Sequence, residues 1–561
     1  MRQLTNACFR AVQVLALILL ISSKGIAIDL IVSGTVQIDT AVTYDNIVVN
    51  NDGTLIANGE ITSLGKMHII SGGVVSHSSY PTNSGSGLQI NVTDSLIVDG
   101  DIYVSGYGLR GANGSGSAHG SRGEAYDATG TSVVAGSTGD AGGSYGGIAQ
   151  GGSNASYGVI ENPSHFGSGG SGCRNGGNGG GLATISAGTM VLVGTIQADG
   201  TTQGDACAGG GGAGGGSGGG VRIACGTLTG PGSIYARGGN GRNQYPTAGG
   251  GGRVAVYYSD ISGFDQTHIY VRGGATRPGS AGTIYFKDST ETYGEVVINN
   301  GGYNASPTTS FKTGLTSFKK LTVREWGEFS LVSSDVPSFT VEDPVLIASS
   351  GRLTLSSGVM MDVTNPTGFD VEVQSSGYLI LNNGSVLNAN SLRIAGGYVN
   401  DYIGLSYPVA SDFELSGGAL TVIGNSTFSI ASFDTTNFKS GSVSIRLGSR
   451  MDVAANRLTV GNGVYIYKDG QFGASDTVNT IEVLSGGQLR HHSYPTNNGP
   501  GLRVNVTDSL IIDGTIYLTG YGLRGANGSG SAHGSRGEAY DATGTSVVAG
   551  STGDAGGSYG G

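Results

Sequence analysis

From Asp29 onward, short runs in which apolar and polar residues alternate recur along the chain, and most are closed by Gly, Asn or Asp. LIVSGTVQI, NIVVNNDGTLIA and KMHIISGGVV, between Asp29 and about His77, set the pattern. Alternation with a period of two, punctuated by Asn-Asp-Gly or Ser-Gly-Gly, predicts strands joined by tight turns. Beyond the N-terminal 27 residues no stretch sustains a 3.6-residue apolar period over a helical length. The expectation is an all-β chain.

From Leu88 to about Lys287 the strands form a sub-repeat: LQINVTDSLIVDGDIYVSGYG, LATISAGTMVLVGTIQADG, VRIACGTLTGPGSIYARGG and RVAVYYSDISGFDQTHIYVRGG. Each line gives one strand, a bend, a second strand and a closing Gly, and long Gly/Ser-rich inserts separate the lines. Strand pairs that cannot cover their own apolar faces must stack on one another, and inserts of unequal length then leave at the same corner of each coil. The inserts are expected as surface loops, with ordering of some Gly runs by packing on one another as the alternative. From Ser289 to about His491 glycine falls and strands such as SFTVEDPVLIASSGRLTLSSGVMMDV follow closely, with recurrent SSG-x-L-x-L steps. Alternation there points Leu, Val and Ile inward, and Asn382, Asn383, Asn388 and Asn390 suit left-handed corners. The predicted fold is a right-handed parallel β-helix with long Gly-rich inserts; an array of β-sandwich domains is the alternative.

Gly520–Gly561 repeats Gly106–Gly147 without a change, and Thr480–Gly520 answers the stretch from about Lys66 with conservative differences such as Ile90 to Val504 and Val98 to Ile512. The expected divisions are 1–27, 28–87, 88–288, 289–479 and 480–561, the last being the start of a truncated second unit. Stacking at about 4.8 Å per coil predicts a rod roughly 100 Å long.

Glycine supplies 106 of 561 residues, which without a G-X-Y period excludes collagen. The net charge of −11 and scattered basic residues disfavour nucleic acid and a polybasic membrane patch. Arg2 and Arg10 precede the apolar run Ala11–Ile21, and Gly25 and Ala27 provide small residues for cleavage, so residues 1–27 read as an export signal. No later segment is apolar enough to span a membrane. Cys207 and Cys225 flank a Gly tract and are candidates for a disulfide; Cys173 is left over, and the spacing fits no metal site.

The lines GGNGGGLATISAG, GGGVRIACGTLTGPGSIYARGGNG and GGGGRVAVYYSD resemble large Gly-rich secreted microbial proteins read as β-helical, adhesin-like surface repeats. The resemblance covers about Leu88–Asp288 and the copy from Leu502. It implies a secreted, cell-surface or extracellular location and carries no assigned site residues.

Chemistry is sparse. There is no Asp-Asp pair and no Gly-His-Gly, so the paired carboxylates of a polysaccharide hydrolase do not assemble. Gly167–Gly172 matches G-x-G-x-x-G but lacks the flanking strand and helix that phosphate binding needs. No cofactor and no metal is expected. The local concentration of polar and aromatic groups lies in the repeated insert: Tyr107, Arg110, His119, Arg122, Glu124, Tyr126 and Asp127, then Tyr521, Arg524, His533, Arg536, Glu538, Tyr540 and Asp541. Aromatic faces and guanidinium forks suit sugars or acidic partners; the competing use is stitching the insert to the rod. The expected function is a non-catalytic structural or adhesive surface protein, with carbohydrate or matrix components as partners. The alternative is a carbohydrate-active β-helix enzyme.

Overall fold

The computed structural model describes residues 28–83, 85–112, 121–172, 175–202, 212–241, 247–493, 496–497, 501–524, 538–541, 546–549 and 557. Apart from two short 3-10 turns the described elements are strands, and all but three strand pairs are parallel. In the first half, Leu30–Val32, Ile47–Val49, Lys66–Ile69, Leu88–Val98, Leu182–Leu192, Gly220–Gly230 and Arg253–Tyr258 lie side by side. A second sheet of seven parallel strands runs from Thr35–Ile38 through Asp101–Tyr103 to Ile269–Tyr270. Register places like on like: Leu96, Met190 and Leu228 stack in one row, Ile102, Ile196, Ile234 and Ile269 in another. These rows form one buried core, each side chain contributing about 1.5–3 kcal/mol by leaving water.

At Thr283–Asp288 the parallel order is broken by an antiparallel partner, Glu295–Asn299, with Ile284 opposite Val297 and Tyr285 opposite Val296. The expected division at 288/289 falls in the turn between these strands. Ile284 and Phe286 belong to the first core, whereas Tyr285, Val296 and Ile298 belong to a second. The sheet runs on unbroken while the buried side changes from one of its faces to the other.

Beyond the reversal, strands from Lys320–Arg324 to Gln488–Arg490 stack in parallel again. The SSG steps are the corners. Ser349, Ser350, Ser375 and Ser376 have positive φ, as do Glu325 and Trp326 one rung earlier. Two successive left-handed residues make a primed turn, and the turns stack: Ser350 N–H donates to Ser375 O at 3.2 Å. The expected left-handed asparagines are not the ones that turn. Asn388 lies within the strand Val386–Ala389, and Gly384, φ +82°, takes the corner beside Asn382 and Asn383.

Much of the length of the Gly-rich inserts is buried rather than looped over the surface, and their Gly runs order by packing on one another, the alternative to the surface-loop expectation. Each runs out from the seven-stranded sheet and back into the large one, and the limbs bond to each other through the backbone. Gly212–Gly220 shows the rule. Gly214 and Ser217 donate to Ser171 and Ser168; Gly215 and Gly218 donate to Thr247 and Gly250; Gly216 and Gly219 donate to Thr201 and Ala198. The partner changes with a period of three, the repeat of a polyproline II helix, which has no internal hydrogen bonds. Incoming bonds from Gly143, Gly177 and Gly239 bring the surrounding segments to six. A Cβ at Gly214, Gly215, Gly216, Gly218 or Gly219 would fall within 3.0 Å of a neighbouring carbonyl oxygen. Glycine is needed here for close backbone approach, not for unusual φ.

Gly108 gives a direct test. A Cβ there would run into the carbonyl oxygen of Gly180. Gly108→Ala should therefore cost about 1–3 kcal/mol in chemical denaturation. An unchanged midpoint would overturn the close-approach account.

Candidate functional site on the glycine-rich insert

The insert after Tyr107 carries a small hairpin, Glu124–Tyr126 against Val133–Ala135. Its turn is wound by Asp127, whose carboxylate accepts the N–H groups of Thr129 and Thr131, both at 3.1 Å, while Gly130 takes φ +75°. The Thr129 hydroxyl and these N–H groups hold the Asp127 carboxyl below its usual range. One side of the hairpin is fastened inward. Glu124, 1% exposed, accepts the backbone N–H of Arg110 at 3.0 Å and its guanidinium Nε at 3.0 Å. Arg110 in turn lies 5.4 Å from the Tyr80 ring, and the bonds to Glu124 push its pKa up. Tyr107 packs edge-on against His77 and Tyr103.

Arg122, Tyr126 and Asp127 are placed differently. With Thr138, Ser153 and Asn154 they line an open cleft of about 390 Å³. Arg122 Nη2 donates to the carbonyls of Ala135 and Gly136 at 3.0 and 2.8 Å, which fixes the fork across the hairpin. The Tyr126 ring stands edge-on to Tyr157 and His165. Burial raises its phenol to about 12, so it remains a hydrogen-bond donor at neutral pH. A guanidinium, a phenol and a carboxylate on one concave surface match the donor and acceptor pattern of vicinal hydroxyls.

The expected site thus divides: Arg110 and Tyr107 hold the insert to the body, Tyr126 is half-buried against Tyr157 and His165, and Arg122 and Asp127 lie at the open side of the cleft. His119, His533 and Arg536 lie outside the described residues. In the second copy the fastening recurs, with Glu538 accepting Arg524 N–H and Nε, both at 3.0 Å. The hairpin recurs too, Glu538–Tyr540 against Val547–Ala549, with Asp541 N–H on Ser546 O and Tyr540 exposed. Tyr521 accepts from Arg490 at 3.4 Å. Cys225 is a half-buried thiol, raised to about 11 by burial; Cys207 and Cys173, and with Cys207 the candidate disulfide, lie outside the described residues. No group of three or more metal-ligating side chains occurs among the described residues.

Three features escaped the sequence reading. His77 is a buried post between coil and insert: its Nδ1–H donates to Ser78 O at 2.7 Å, Nε2 accepts Leu182 N–H at 3.4 Å, and Phe166 stacks on the ring at 5.4 Å. That pairing needs the neutral imidazole, and burial lowers its pKa to about 4. Arg253, fully buried, donates to Tyr157 O at 3.2 Å and Thr283 Oγ1 at 3.2 Å and lies over the Tyr145 ring. The third is a relay. Ser444 Oγ lies 3.2 Å from His492 Nε2, and His492 Nδ1 lies 2.6 Å from the buried Asp469 carboxylate. Asp469 also accepts His492 N–H and Asn497 Nδ2, and these bonds outweigh burial to keep its pKa low.

The order Ser–His–Asp is that of a nucleophilic triad, but the setting is a clamp. Ser444 is buried in a strand paired on both sides, so that strand's own N–H groups serve the ladder and not an oxyanion hole. Asp469→Asn should cost about 1.5–3 kcal/mol, the worth of bonds to a charged acceptor, in urea melts. Ser444→Ala should leave p-nitrophenyl acetate turnover unchanged, and a loss would restore the triad reading. For His77, the folded pKa near 4 lies below the unfolded value of 6.5. Between these pH values only the unfolded chain binds the proton, so stability present above pH 6.5 falls toward pH 4 by on the order of 3 kcal/mol. His77→Gln should remove that share of the wild type's pH dependence in urea melts at pH 7 and pH 4.5; an unchanged slope would contradict it.

Compared with known proteins, the chain matches no family model, no curated protein and no solved structure.

Proposed function

We propose that this chain is a secreted, non-catalytic rod of a cell surface or extracellular matrix that adheres through its Gly-rich inserts, with carbohydrate as the partner class. The observation that carries the adhesive part is the convergence of Arg122, Tyr126 and Asp127 on one cleft of an ordered insert. Secretion rests on the export signal read in residues 1–27, and among the described residues no helix is long and apolar enough to cross a membrane. Repetition of the insert would supply multivalency, in which each further contact adds avidity at no new interface.

For the rod itself we infer a right-handed parallel β-helix. Reversal of strand direction at Glu295–Asn299 would alone reverse the winding, but transfer of the core to the opposite sheet face reverses it once more. One hand therefore serves both halves, and parallel strand crossovers strongly favour the right hand.

Purified protein is expected to be retained on immobilised neutral or acidic polysaccharide, with Arg122→Ala weakening retention about tenfold, the worth of one charge-assisted hydrogen bond. Release of reducing or unsaturated sugar ends would instead establish the enzyme reading.

A further inference from the structure

The third face of the C-terminal half is interrupted at one place. Ser317–Phe318, Ser338–Val341, Met360–Val363 and Val386–Ala389 form one parallel ladder, and Ser406–Tyr407, Thr427–Ile430, Arg450–Val453 and Gln471–Phe472 form another. Val386–Ala389 and Ser406–Tyr407 belong to successive rungs, because the strands just before them, Tyr378–Leu381 and Tyr398–Asp401, are paired in register. Yet the two do not pair. The cause is local: the buried Asp401 carboxylate accepts the N–H groups of Ile403, Gly404 and Leu405 at 3.0, 2.8 and 3.0 Å. With Gly404 at φ +85° this winds the corner tightly and carries Ser406 off the ladder.

The gap leaves an open cleft of about 810 Å³ with a backbone edge on either side. Val386 N–H donates to Val359 O, so residues 386 and 388 bond inward to the ladder. Leu387 and Ala389 therefore turn their N–H and C=O toward the cleft, where they find no backbone partner among the described residues. On the other side, Leu405 O and Tyr407 O accept from Ser429 and Ala431, which leaves Ser406 facing the gap.

We propose that this cleft binds an extended polypeptide segment that adds as a strand to the Leu387–Ala389 edge. The occupant follows from the spacing: donor and acceptor pairs repeating every second residue complement the backbone of another strand, whereas a glycan offers no such repeat. The volume suits a short segment. Asp362, bonded to Asn388 at 2.6 Å, lies in the cleft wall, and no Lys or Arg lines it, so the cleft favours a segment carrying positive charge. This site is separate from the insert cleft and does not depend on it.

The probe is a capped, fluorescein-labelled peptide of residues 351–357, Gly-Arg-Leu-Thr-Leu-Ser-Ser, an alternating strand with one positive charge. Saturable binding to the full chain by fluorescence polarisation is expected. Ala389→Pro removes only an N–H that faces the cleft and should weaken binding at least tenfold. Methylating alternate amides of the peptide should do the same with the wild-type protein, which decides the matter should the proline variant not fold. No binding, binding indifferent to both changes, or displacement of the peptide by cellohexaose would overturn the proposal.

Discussion

The backbone of Gly212–Gly220 is surrounded on six sides by other backbones, and the ordered arrangement of the inserts depends on that contact. Ordering glycine costs more conformational entropy than ordering any other residue, and glycine has no side chain with which to bury apolar area. Each backbone hydrogen bond returns only about 0.5–1.5 kcal/mol net. An isolated Gly-rich loop of this length would not order. Here each limb is continuous with a core strand at its end, as Gly176–Gly181 is with Leu182–Leu192 and Gly249–Gly252 with Arg253–Tyr258. The hydrophobic rows position the limbs, and the limbs then satisfy one another's N–H and C=O groups.

That division of labour explains why the two copies differ where they do. A strand position such as Ile90 requires an apolar β-former of similar bulk, and Val504 meets the requirement equally. Most glycines of the first insert have carbonyl oxygens where a Cβ would stand, so almost no other residue fits. Some side chains of the inserts supply hydrogen bonds to backbone groups of neighbouring limbs. Ser168 and Ser171 Oγ donate to Ser144 and Ala141 carbonyls, and Thr247 Oγ1 accepts Gly142 N–H. Steric exclusion thus restricts the buried glycine positions of the first insert, and the identity of the other residues between the two copies has no steric account in the structure.

The strands were legible because period-two alternation, β-branched residues and Gly or Asn punctuation all agreed. The turn chemistry was only half legible. SSG marks a corner, but the residues that adopt positive φ are serines, because the following Gly lies against a carbonyl of the preceding rung, as Gly351 does against Val323. The core's change of face could not be read, since four successive residues at the start of Thr283–Asp288 are buried, from Thr283 to Phe286, and show no alternation. Nor could the bundle: a period of three in hydrogen-bond partner leaves no trace in a run of identical residues. Of the candidate site, residue types were readable, but which arginine is spent inward was decided by Glu124, a residue two positions from Arg122 and fourteen from Arg110.

A bundle made of backbone also restricts where chemistry can be displayed. Limbs surrounded by other limbs present few side chains, so the groups proposed for recognition sit where a segment leaves the bundle, as at the hairpin Glu124–Ala135, or where a ladder fails, as at Val386–Ala389. In both places the same device is at work: a carboxylate, Asp127 or Asp401, gathers successive N–H groups and diverts the chain from regular pairing. The diversion exposes a concave surface beside paired strands. Such a surface is preorganised, because the strands beside it are held by many bonds that a ligand does not have to form. Regular ladders and the concave surfaces that interrupt them therefore share one origin among the described residues, the choice of each backbone N–H between a neighbouring strand and a carboxylate.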